Sequence, residues 1–451
     1  MTSFPKSFWT ANVTELFERA AYYSMASFVV IYLGQLGLGD YLPSTLNGVL
    51  WTLVYFLPVL SGTIADQIGF KKSLIIAFVL LFFGYFMMSF PVFIQGKTLS
   101  PNIEKEITSG IDTVIPILIA ILLIGIGGSF VKPCISGTVQ KTSSGRATLA
   151  FAIFYMVINI GSLTGRGVAY LVRTRSSLTY IFVVASICAI VALLIVLFFY
   201  NDPEKELNLQ TTNRPQKSIK EILLNMILVL KNVRFALFLL VTSGFFFLYA
   251  QVYNVLPLYL KKVLETNPPV DLYTMANPLV IVFFQLIITR LFGGLKPIVS
   301  IIVGIVIISL SMAINIIPLF LEGGVYRDFL SIMPLGSLFI VMTVALIAFG
   351  ELFASARTYE YIGALAPKGQ EGLFLGYANL PMAIGALLGG PVGAYIFNEI
   401  MCKNATKLDN GLLRLDNRSA TLGWVILMLI GFASAISMYL YNRWITRHRA
   451  E

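Results

Sequence analysis

Long apolar runs separated by short polar breaks follow one another along almost the entire chain. A helix that crosses a bilayer needs about 20 consecutive, mostly apolar residues. Runs of that length predict twelve membrane-spanning helices in two groups of six. The predicted spans are residues 13–35, 44–65, 71–94, 113–137, 147–172, 177–200, 234–260, 272–293, 297–321, 331–358, 371–397 and 420–446.

The stretch between the two groups is the most charged segment between helices. Within it, Ser218 followed by Glu221 fits a capping box, which predicts a helix at 219–231 lying along the membrane surface. The predicted organisation is an N-terminal six-helix bundle at 1–200, a cytoplasmic linker with an amphipathic helix at 201–233, and a C-terminal six-helix bundle at 234–451.

The composition agrees with this pattern and excludes a soluble protein. Hydrophobic residues make up 57% of the 451 residues and charged residues only 12%, with a mean hydropathy of +0.83. Soluble domains contain about 25% charged residues, so we predict an all-α polytopic membrane protein. The net charge of +10 is attributed to loops facing anionic lipid, because no nucleic-acid recognition motif accompanies it.

Residues suited to metal, thiol or hydrolytic chemistry are scarce. The cysteines Cys134, Cys188 and Cys402 lie far apart in the sequence, and the single histidine, His448, lies near the C-terminus. This pattern provides neither a disulfide framework nor a CxxC metal site, and no catalytic constellation is evident. The chain is therefore predicted not to be an enzyme and to hold no metal or other cofactor.

The distribution of Lys and Arg predicts which side of the membrane each loop faces. With both termini in the cytoplasm, seventeen of these residues lie in cytoplasmic segments and eleven lie outside, a bias that favours this orientation. Short loops and a polar N-terminus without a cleavable signal favour the inner membrane of a prokaryote.

The first span contains a concentration of charge. Glu15, Glu18, Arg19, Tyr22 and Tyr23 occupy positions i, i+3, i+4, i+7 and i+8, which is one helical face. Each intramembrane charge costs about 2.5–3.5 kcal/mol at the bilayer centre, so such groups usually face a cavity or a partner. The alternative for Glu15 is an ordinary position at the membrane interface.

Polar residues in other spans have two interpretations each. Lys132 faces the cavity or extends to the interface, and Tyr55 lines the cavity or packs in the core. Glu351 lies near the middle of its span, where a lipid-facing position would be costly. Ser355 follows one turn later on the same face. Asn277 contributes to the site or merely caps a helix.

Two further arginines are ambiguous. Arg166 shares a helical face with Asn159, and an exposed position near the outer end of the span is preferred for it. Arg357 and Glu360 lie three residues apart near the inner end of the tenth span. They are predicted to form a gate ion pair or an interfacial pair.

The loop from Gly62 to Lys72 resembles the Gly-x-x-x-Asp-x-x-Gly-x-Lys/Arg loop of the major facilitator superfamily. In that reading Asp66 accepts from a neighbouring helix N-terminus or a basic partner and clamps adjacent helices. A simple turn beside a basic pair is the alternative. The resemblance implies two six-helix bundles around a central cavity.

Two longer motifs resemble the proton-dependent oligopeptide transporter family. Residues 15–23 are similar to its Glu-x-x-Glu-Arg-Phe-x-Tyr-Tyr signature, and residues 154–163 to its Phe-Tyr-x-x-Ile-Asn-x-Gly-Ser-Leu motif. The resemblance covers the N-terminal half well and the C-terminal half more loosely. The chain departs from the family pattern at Ala26, Ala250 and Ala356, where the family carries an arginine, a glutamate and a proline.

The resemblance implies a proton-coupled symporter that imports di- and tripeptides by alternating access, acting as a monomer in the lipid bilayer. The alternative is a divergent member that carries another small anionic or zwitterionic solute with altered coupling. Implied proton-coupling residues are Glu15, Glu18, Arg19 and Lys132. Implied substrate-binding residues are Arg19, Tyr22, Tyr23, Tyr55, Lys132, Asn159, Asn277, Glu351 and Ser355. Among them, Arg19 and Lys132, helped by Tyr23 and Asn159, are expected to hold the carboxylate of the peptide, and Glu351 and Asn277 its ammonium group. Asp66, Arg357 and Glu360 are expected to serve structure and gating.

Overall fold

The computed structural model describes residues 4–143, 147–207, 230–365 and 377–447, together with Glu221, Leu224 and Leu228. Of the surface helix predicted at 219–231, only Glu221, Leu224, Leu228, Leu230 and Lys231 are described, and the other eight residues lie outside the described residues.

Helices account for nearly all of the described chain. The first half contains α1 (Lys6–Ala26), α2 (Val29–Leu33), α3 (Leu42–Phe56), α4 (Pro58–Ile68), α5 (Phe70–Phe93), α6 (Ile111–Lys141), α7 (Ala147–Arg175), α8 (Tyr180–Phe198) and the short α9 (Pro203–Glu206). The second half contains α10 (Val233–Ala250), α11 (Val255–Tyr259), α12 (Val270–Thr274), α13 (Ala276–Phe292), α14 (Pro297–Ala313), α15 (Leu335–Leu365), α16 (Leu380–Tyr395) and α17 (Asn417–Arg447).

Short 3-10 and π-helical turns extend several of these helices, including Gly34–Leu38, Leu260–Leu264 and Ile396–Met401. Two antiparallel ribbons of two residues per strand connect helices in the second half. They pair β1 (Asp328–Phe329) with β2 (Met333–Pro334), and β3 (Thr406–Lys407) with β4 (Leu413–Arg414).

The prediction of an all-α, multi-pass membrane protein is confirmed. Among the described residues, nine helices are long and apolar enough to cross a membrane, or up to eleven if each of two bent pairs is one span. The bends measure 49° between α1 and the segment Val29–Leu38, and 43° between α3 and α4. The second bend falls beside Pro58, which lacks the N–H needed to continue the helix. The count of twelve spans stays a prediction.

The chain divides into two compact units. The first comprises Met1–Ala26, Thr52–Thr98 and Gly110–Leu228, and the second comprises Ser27–Trp51, Leu99–Ser109 and Val229–Glu451. The predicted division at 1–200, 201–233 and 234–451 follows chain order alone. The structure additionally groups two segments of the first two hundred residues with the second unit.

In the first unit, α1 packs against α7 and α8, and α5 packs against α6 and α8. Two glycines on α7 allow α1 to approach closely. A Cβ atom on Gly161 would lie 2.8 Å from the carbonyl oxygen of Leu16, and one on Gly165 would overlap the carbonyl oxygen of Ala20. Small residues spaced four apart commonly let two membrane helices meet in this way.

In the second unit, α14 packs against α15 and α17, and α10 packs against α16. Gly304 and Gly350 face each other where α14 meets α15. A Cβ atom on Gly350 would lie 2.8 Å from the carbonyl oxygen of Gly304. The backbones of α14 and α15 are thus in close contact, which holds α15 and its polar residues in a fixed position.

Candidate functional site

The charged face of α1 is buried in the first unit. Glu15 and Glu18 are 1% and 2% exposed, and Arg19 is 8% exposed. The Nε atom of Arg19 lies 3.2 Å from Oε1 of Glu15 and also binds Oε2 of Glu18. One guanidinium is therefore shared by two buried carboxylates. The interfacial position considered for Glu15 does not describe this environment.

Lys132 on α6 and Tyr55 on α3 lie next to this cluster. The Lys132 ammonium lies 5.7 Å from the centroid of the Tyr55 ring, and its charge acts on the Glu15 carboxylate. Tyr55 is 8% exposed and interacts electrostatically with Arg19. The structure thus brings together the basic residue of α6 and the charged face of α1.

Aromatic rings continue the α1 face beyond the ion pairs. The rings of Tyr22 and Tyr23 meet edge to face at 5.4 Å. Arg19 lies 5.5 Å from the Tyr22 ring, and Arg166 lies 4.5 Å from the Tyr23 ring. Both distances are within the range of cation–π attraction.

Arg166 is fully buried, so the preference for an exposed position was wrong. It is 1% exposed and donates a hydrogen bond to the Ser162 hydroxyl. The reason is the close packing of α7 on α1 at Gly161 and Gly165, which directly precede Ser162 and Arg166 in the sequence. The four-residue spacing of these glycines was the signal that could have revealed the buried face.

Asn159 also lies on the buried side of α7. It is 6% exposed, and its Nδ2 donates to the carbonyl oxygen of Tyr155 at 2.8 Å. Its role in substrate binding stays a prediction.

In the second unit, Asn277 and Glu351 meet. Nδ2 of Asn277 lies 3.4 Å from Oε2 of Glu351. Asn277 is the second residue of α13, and Met275 occupies the capping position, so Asn277 does not cap this helix. Glu351 and Ser355 are both half-buried, one turn apart on α15.

Arg357 and Glu360 form the expected ion pair on α15. Nη1 of Arg357 lies 2.6 Å from Oε2 of Glu360, and Nη2 donates to the carbonyl oxygen of Gly293 at 2.6 Å. Arg357 therefore also connects α15 to the end of α13. A cavity of about 320 Å³ between α13 and α15 is lined by this pair and by Gln285 and Thr289.

Asp66 is exposed near the end of α4. The neighbouring helix N-terminus is bound by a different acid, because Oδ1 of Asp202 accepts the backbone N–H of Lys71 at 2.8 Å. The clamping role of Asp66 stays a prediction. Asp202 belongs to a charged string of residues, 202–206, for which the sequence pattern predicted no role.

That string holds three helix ends in the first unit. Besides Asp202 at the start of α5, Glu206 accepts the backbone N–H groups of Lys6 and Ser7, both at 3.0 Å, at the start of α1. Glu204 pairs with Lys141 at the end of α6, at 2.6 Å. Acids at helix N-termini and a lysine at a C-terminus are the electrostatically favourable arrangement.

A second cluster of charges, in the second unit, was not predicted. Lys262 forms an ion pair with Asp40, and their side chains are only 11% and 8% exposed. Close by, Tyr41 donates a hydrogen bond to Glu399, which also pairs with Lys105 at 3.5 Å. Burial and the hydrogen bond to Glu399 raise the pKa of the Tyr41 hydroxyl, so this group remains a proton donor at neutral pH.

Nearby amides extend the same cluster. Nδ2 of Asn47 lies 3.2 Å from Oδ1 of Asn254 and 3.1 Å from the carbonyl oxygen of Tyr253. Residues 27–51 are thus attached to the C-terminal half by both ionic and neutral hydrogen bonds. Within the described part of the chain, no group of three or more His, Cys, Asp or Glu residues could hold a metal ion.

The sequence pattern of the Major Facilitator Superfamily matches residues 9–357. Dipeptide and tripeptide permease B of Photorhabdus asymbiotica is 27% identical over 202 residues, which is 44% of this chain and 37% of the relative. Solute carrier family 15 member 1 of Oryctolagus cuniculus is 26% identical over 179 residues, 38% of this chain and 25% of the relative. The matches thus span well under half of the length of these relatives.

Solved structures match over nearly the whole chain. A mutant of the peptide transporter POT in complex with alafosfalin superposes with a TM-score of 0.73 at 17% identity, covering 98% of this chain and 95% of that one. A POT family transporter in complex with 5-aminolevulinic acid gives a TM-score of 0.72 at 18% identity, covering 97% of each chain. The expected fold and the resemblance to proton-dependent oligopeptide transporters are confirmed.

Proposed function

The chain belongs to the Major Facilitator Superfamily, and on that premise we propose that it imports di- and tripeptides together with protons by alternating access. The superfamily consists of transporters rather than enzymes, which agrees with the expectation that this chain is not an enzyme. The curated relatives are named as peptide permeases, and this supports a peptide as the cargo.

The observation that carries the proposal is the buried cluster of Glu15, Glu18 and Arg19. Two carboxylates share a single guanidinium nitrogen, so protonation of one carboxylate leaves the other as the sole partner of Arg19. Breaking a buried ion pair destabilises the protein conformation that contains it by about 3–5 kcal/mol. Proton binding at this cluster is therefore able to shift the balance between transport states.

The chemistry of the two units matches the two charged ends of a peptide. Arg19, Lys132 and Asn159 of the first unit offer donors for a carboxylate, with the phenols of Tyr22, Tyr23 and Tyr55 beside them. In the second unit, Glu351 offers an acceptor for an ammonium group, with Asn277 at 3.4 Å and Ser355 one turn away. A zwitterionic peptide supplies both groups.

Alternating access needs contacts that break and re-form, and the ion pairs of the second unit are suited to this. We assign Asp40 and Lys262 to one gate, because they join residues 27–51 to the C-terminal half. Arg357 and Glu360 contribute to a second gate, at the end of α15 that is predicted to face the cytoplasm. Asp66 contributes at the predicted cytoplasmic end of α4.

A second candidate is a divergent member that carries another small anionic or zwitterionic solute with altered proton coupling. Ala26 and Ala250 stand where the resembled family carries an arginine and a glutamate. One of the structures similar to this chain is a POT family transporter in complex with 5-aminolevulinic acid, a small zwitterion that is not a peptide.

The proposal places the protein as a monomer in a prokaryotic inner membrane with both termini in the cytoplasm. The excess of Lys and Arg in the loops on that side supports the orientation. The proton is the coupling ion, and no other cofactor is invoked.

The test is uptake of labelled dialanine into proteoliposomes with and without an inward proton gradient. Concentrative uptake that collapses with a protonophore is expected, and Glu18→Gln should abolish it. Glu104→Gln is the matched control, because the same substitution then falls on an exposed carboxylate. The second candidate would be favoured if intact vesicles took up another zwitterion but took up no dialanine.

A further inference from the structure

Asn12 lies one turn before Glu15 on the same buried face of α1. The two residues are 2% and 1% exposed. Among the described residues, Oδ1 of Asn12 and Oε2 of Glu15 are buried oxygen atoms without a hydrogen-bond partner. Side chains three positions apart on a helix are neighbours on its surface, so two unsatisfied acceptors occupy the same small region.

The orientation of both groups is fixed by their other atoms. Nδ2 of Asn12 donates to the carbonyl oxygen of Phe8 at 2.8 Å, which leaves Oδ1 as the free end of the amide. Oε1 of Glu15 lies 3.2 Å from Nε of Arg19 in their ion pair, which leaves Oε2 as the free end of the carboxyl group. Each atom would pay the cost of a buried, unsatisfied acceptor if Glu15 stayed ionised.

Charges around Glu15 act in both directions. Arg19 and Lys132 are the cations that act on the Glu15 carboxyl group, and Glu18 is the neighbouring anion that shares Arg19 with it. Tyr85 on α5, which interacts electrostatically with Glu18 and Arg19, and Arg166 on α7, which lies over the Tyr23 ring, are further titratable or charged groups beside this face. A proton on Oε2 of Glu15 turns this atom into a hydrogen-bond donor, so that two neighbouring acceptors become a donor and an acceptor.

We propose that Asn12 is the hydrogen-bond acceptor that stabilises protonated Glu15, directly or through one water molecule. Asn12 thereby determines how tightly Glu15 binds the transported proton. The proton enters from solution, binds Oε2 of Glu15, and returns to solution when Glu15 ionises again; no other bond changes. Asn12 is a positioning residue that acts through Glu15. The inference rests on the proposed proton-coupled function and names where its proton resides.

The test compares two transport modes in the same proteoliposomes. Gradient-driven uptake of dialanine requires proton binding and release, whereas exchange of dialanine for dialanine requires no net proton movement. Asn12→Leu keeps the size of the side chain and removes the acceptor. We expect gradient-driven uptake to fall about tenfold, the effect of one hydrogen bond, while exchange stays within about twofold of the original rate.

The pH dependence gives a second readout. Protonated Glu15 loses its acceptor in Asn12→Leu, so a higher proton concentration is needed, and the pH of half-maximal uptake moves lower. Thr14→Val is the matched control on the same helix, because the Thr14 hydroxyl donates to the carbonyl oxygen of Thr10 at 2.7 Å. It should change neither readout. If Asn12→Leu is not recovered folded, Asn12→Ala removes the same acceptor without adding bulk.

The outcomes separate this inference from the proposed function. Normal uptake and an unchanged pH profile in Asn12→Leu overturn the role of Asn12 and leave proton coupling intact. An equal loss of uptake and exchange also overturns it, because that result indicates a structural role. Exchange without any gradient-driven uptake in the unsubstituted protein overturns proton coupling itself, and the role of Asn12 with it.

Discussion

Lys262 forms a buried ion pair with Asp40, which lies 222 positions earlier in the chain. Removing one partner of a buried pair leaves the other charge uncompensated, at a cost of about 3–5 kcal/mol. We therefore expect Asp40→Asn or Lys262→Met to lower the thermal unfolding temperature of the purified protein. The exchanged pair, Asp40→Lys with Lys262→Asp, should restore most of it.

The control for this pair is Lys105→Met, whose side chain is 73% exposed and pairs with Glu399 at 3.5 Å. Exposed pairs contribute only about 0–1 kcal/mol, so the unfolding temperature should barely change. An equal effect of Lys105→Met and Lys262→Met would contradict the importance assigned to the buried pair.

Glu351 is expected to recognise the amino end of the substrate. Glu351→Gln removes the negative charge and retains the contact with Asn277, so the KM for dialanine should rise about tenfold, the loss of one charge-assisted hydrogen bond. Competition by dialanine and N-acetyl-dialanine measures this, and the variant should lose its preference for the free amine. Glu322→Gln, at an exposed position, should keep that preference. A preserved preference in Glu351→Gln would remove Glu351 from the site.

Close contact between α1 and α7 makes Gly165 intolerant of a side chain. Gly165→Ala places a Cβ atom against the carbonyl oxygen of Ala20, and overpacking of this kind costs about 1–3 kcal/mol. Gly167→Ala is the matched control, because no atom lies within 4 Å of its added Cβ. Unfolding followed by tryptophan fluorescence should show destabilisation in the first variant only. Similar unfolding curves would rule out the tight helix contact.

Burial raises the pKa of the Cys402 thiol from 9.0 to about 12. The neutral thiol is thus favoured in the folded state. Its contribution to stability is complete below pH 9 and is lost as the pH rises toward 12. At pH 8 the thiolate fraction is about a thousandfold below that of an ordinary thiol, so alkylation by iodoacetamide should be slow.

The measurement uses a variant with Cys134→Ala and Cys188→Ala, so that only Cys402 reacts. Alkylation should become fast after the protein is unfolded in detergent. Rapid labelling of the folded protein at pH 8 would show that the thiol is not held neutral.

Local periodicity explains what the sequence could predict. Glu15, Glu18, Arg19 and Tyr22 repeat with the period of a helix, so their common buried face followed from spacing alone. Long apolar runs likewise predicted the spans, and most predicted ends lie within four residues of the observed ones, whereas the ends predicted at 13, 358 and 371 differ by at least seven residues. The bend beside Pro58 was not predicted, since the span 44–65 was predicted to be continuous, although a proline interrupts helical hydrogen bonds.

Partners that are distant in the sequence could not be predicted in this way. Asp40 and Lys262 are unremarkable residues at the ends of separate segments, and only the folded chain brings them together. The burial of Arg166 depends on the packing of α7 against α1, which periodicity does not specify. The contact of Asn277 with Glu351 was expected only through the resemblance to a family. Physical proximity between helices is therefore the information that the sequence pattern lacked.

The acids of residues 202–206 also affect the order in which the first unit is completed. A chain is synthesised from its N-terminus, and its parts fold as they emerge. Glu206, Asp202 and Glu204 are synthesised after α1, α5 and α6. The starts of α1 and α5 and the end of α6 therefore gain these partners only once the later residues have been made. The sixth predicted span must be made before those three ends are held. These three contacts thus form only after residues 202–206 are made, and residues 27–51 and 99–109 need the second half as well, because they belong to the second unit.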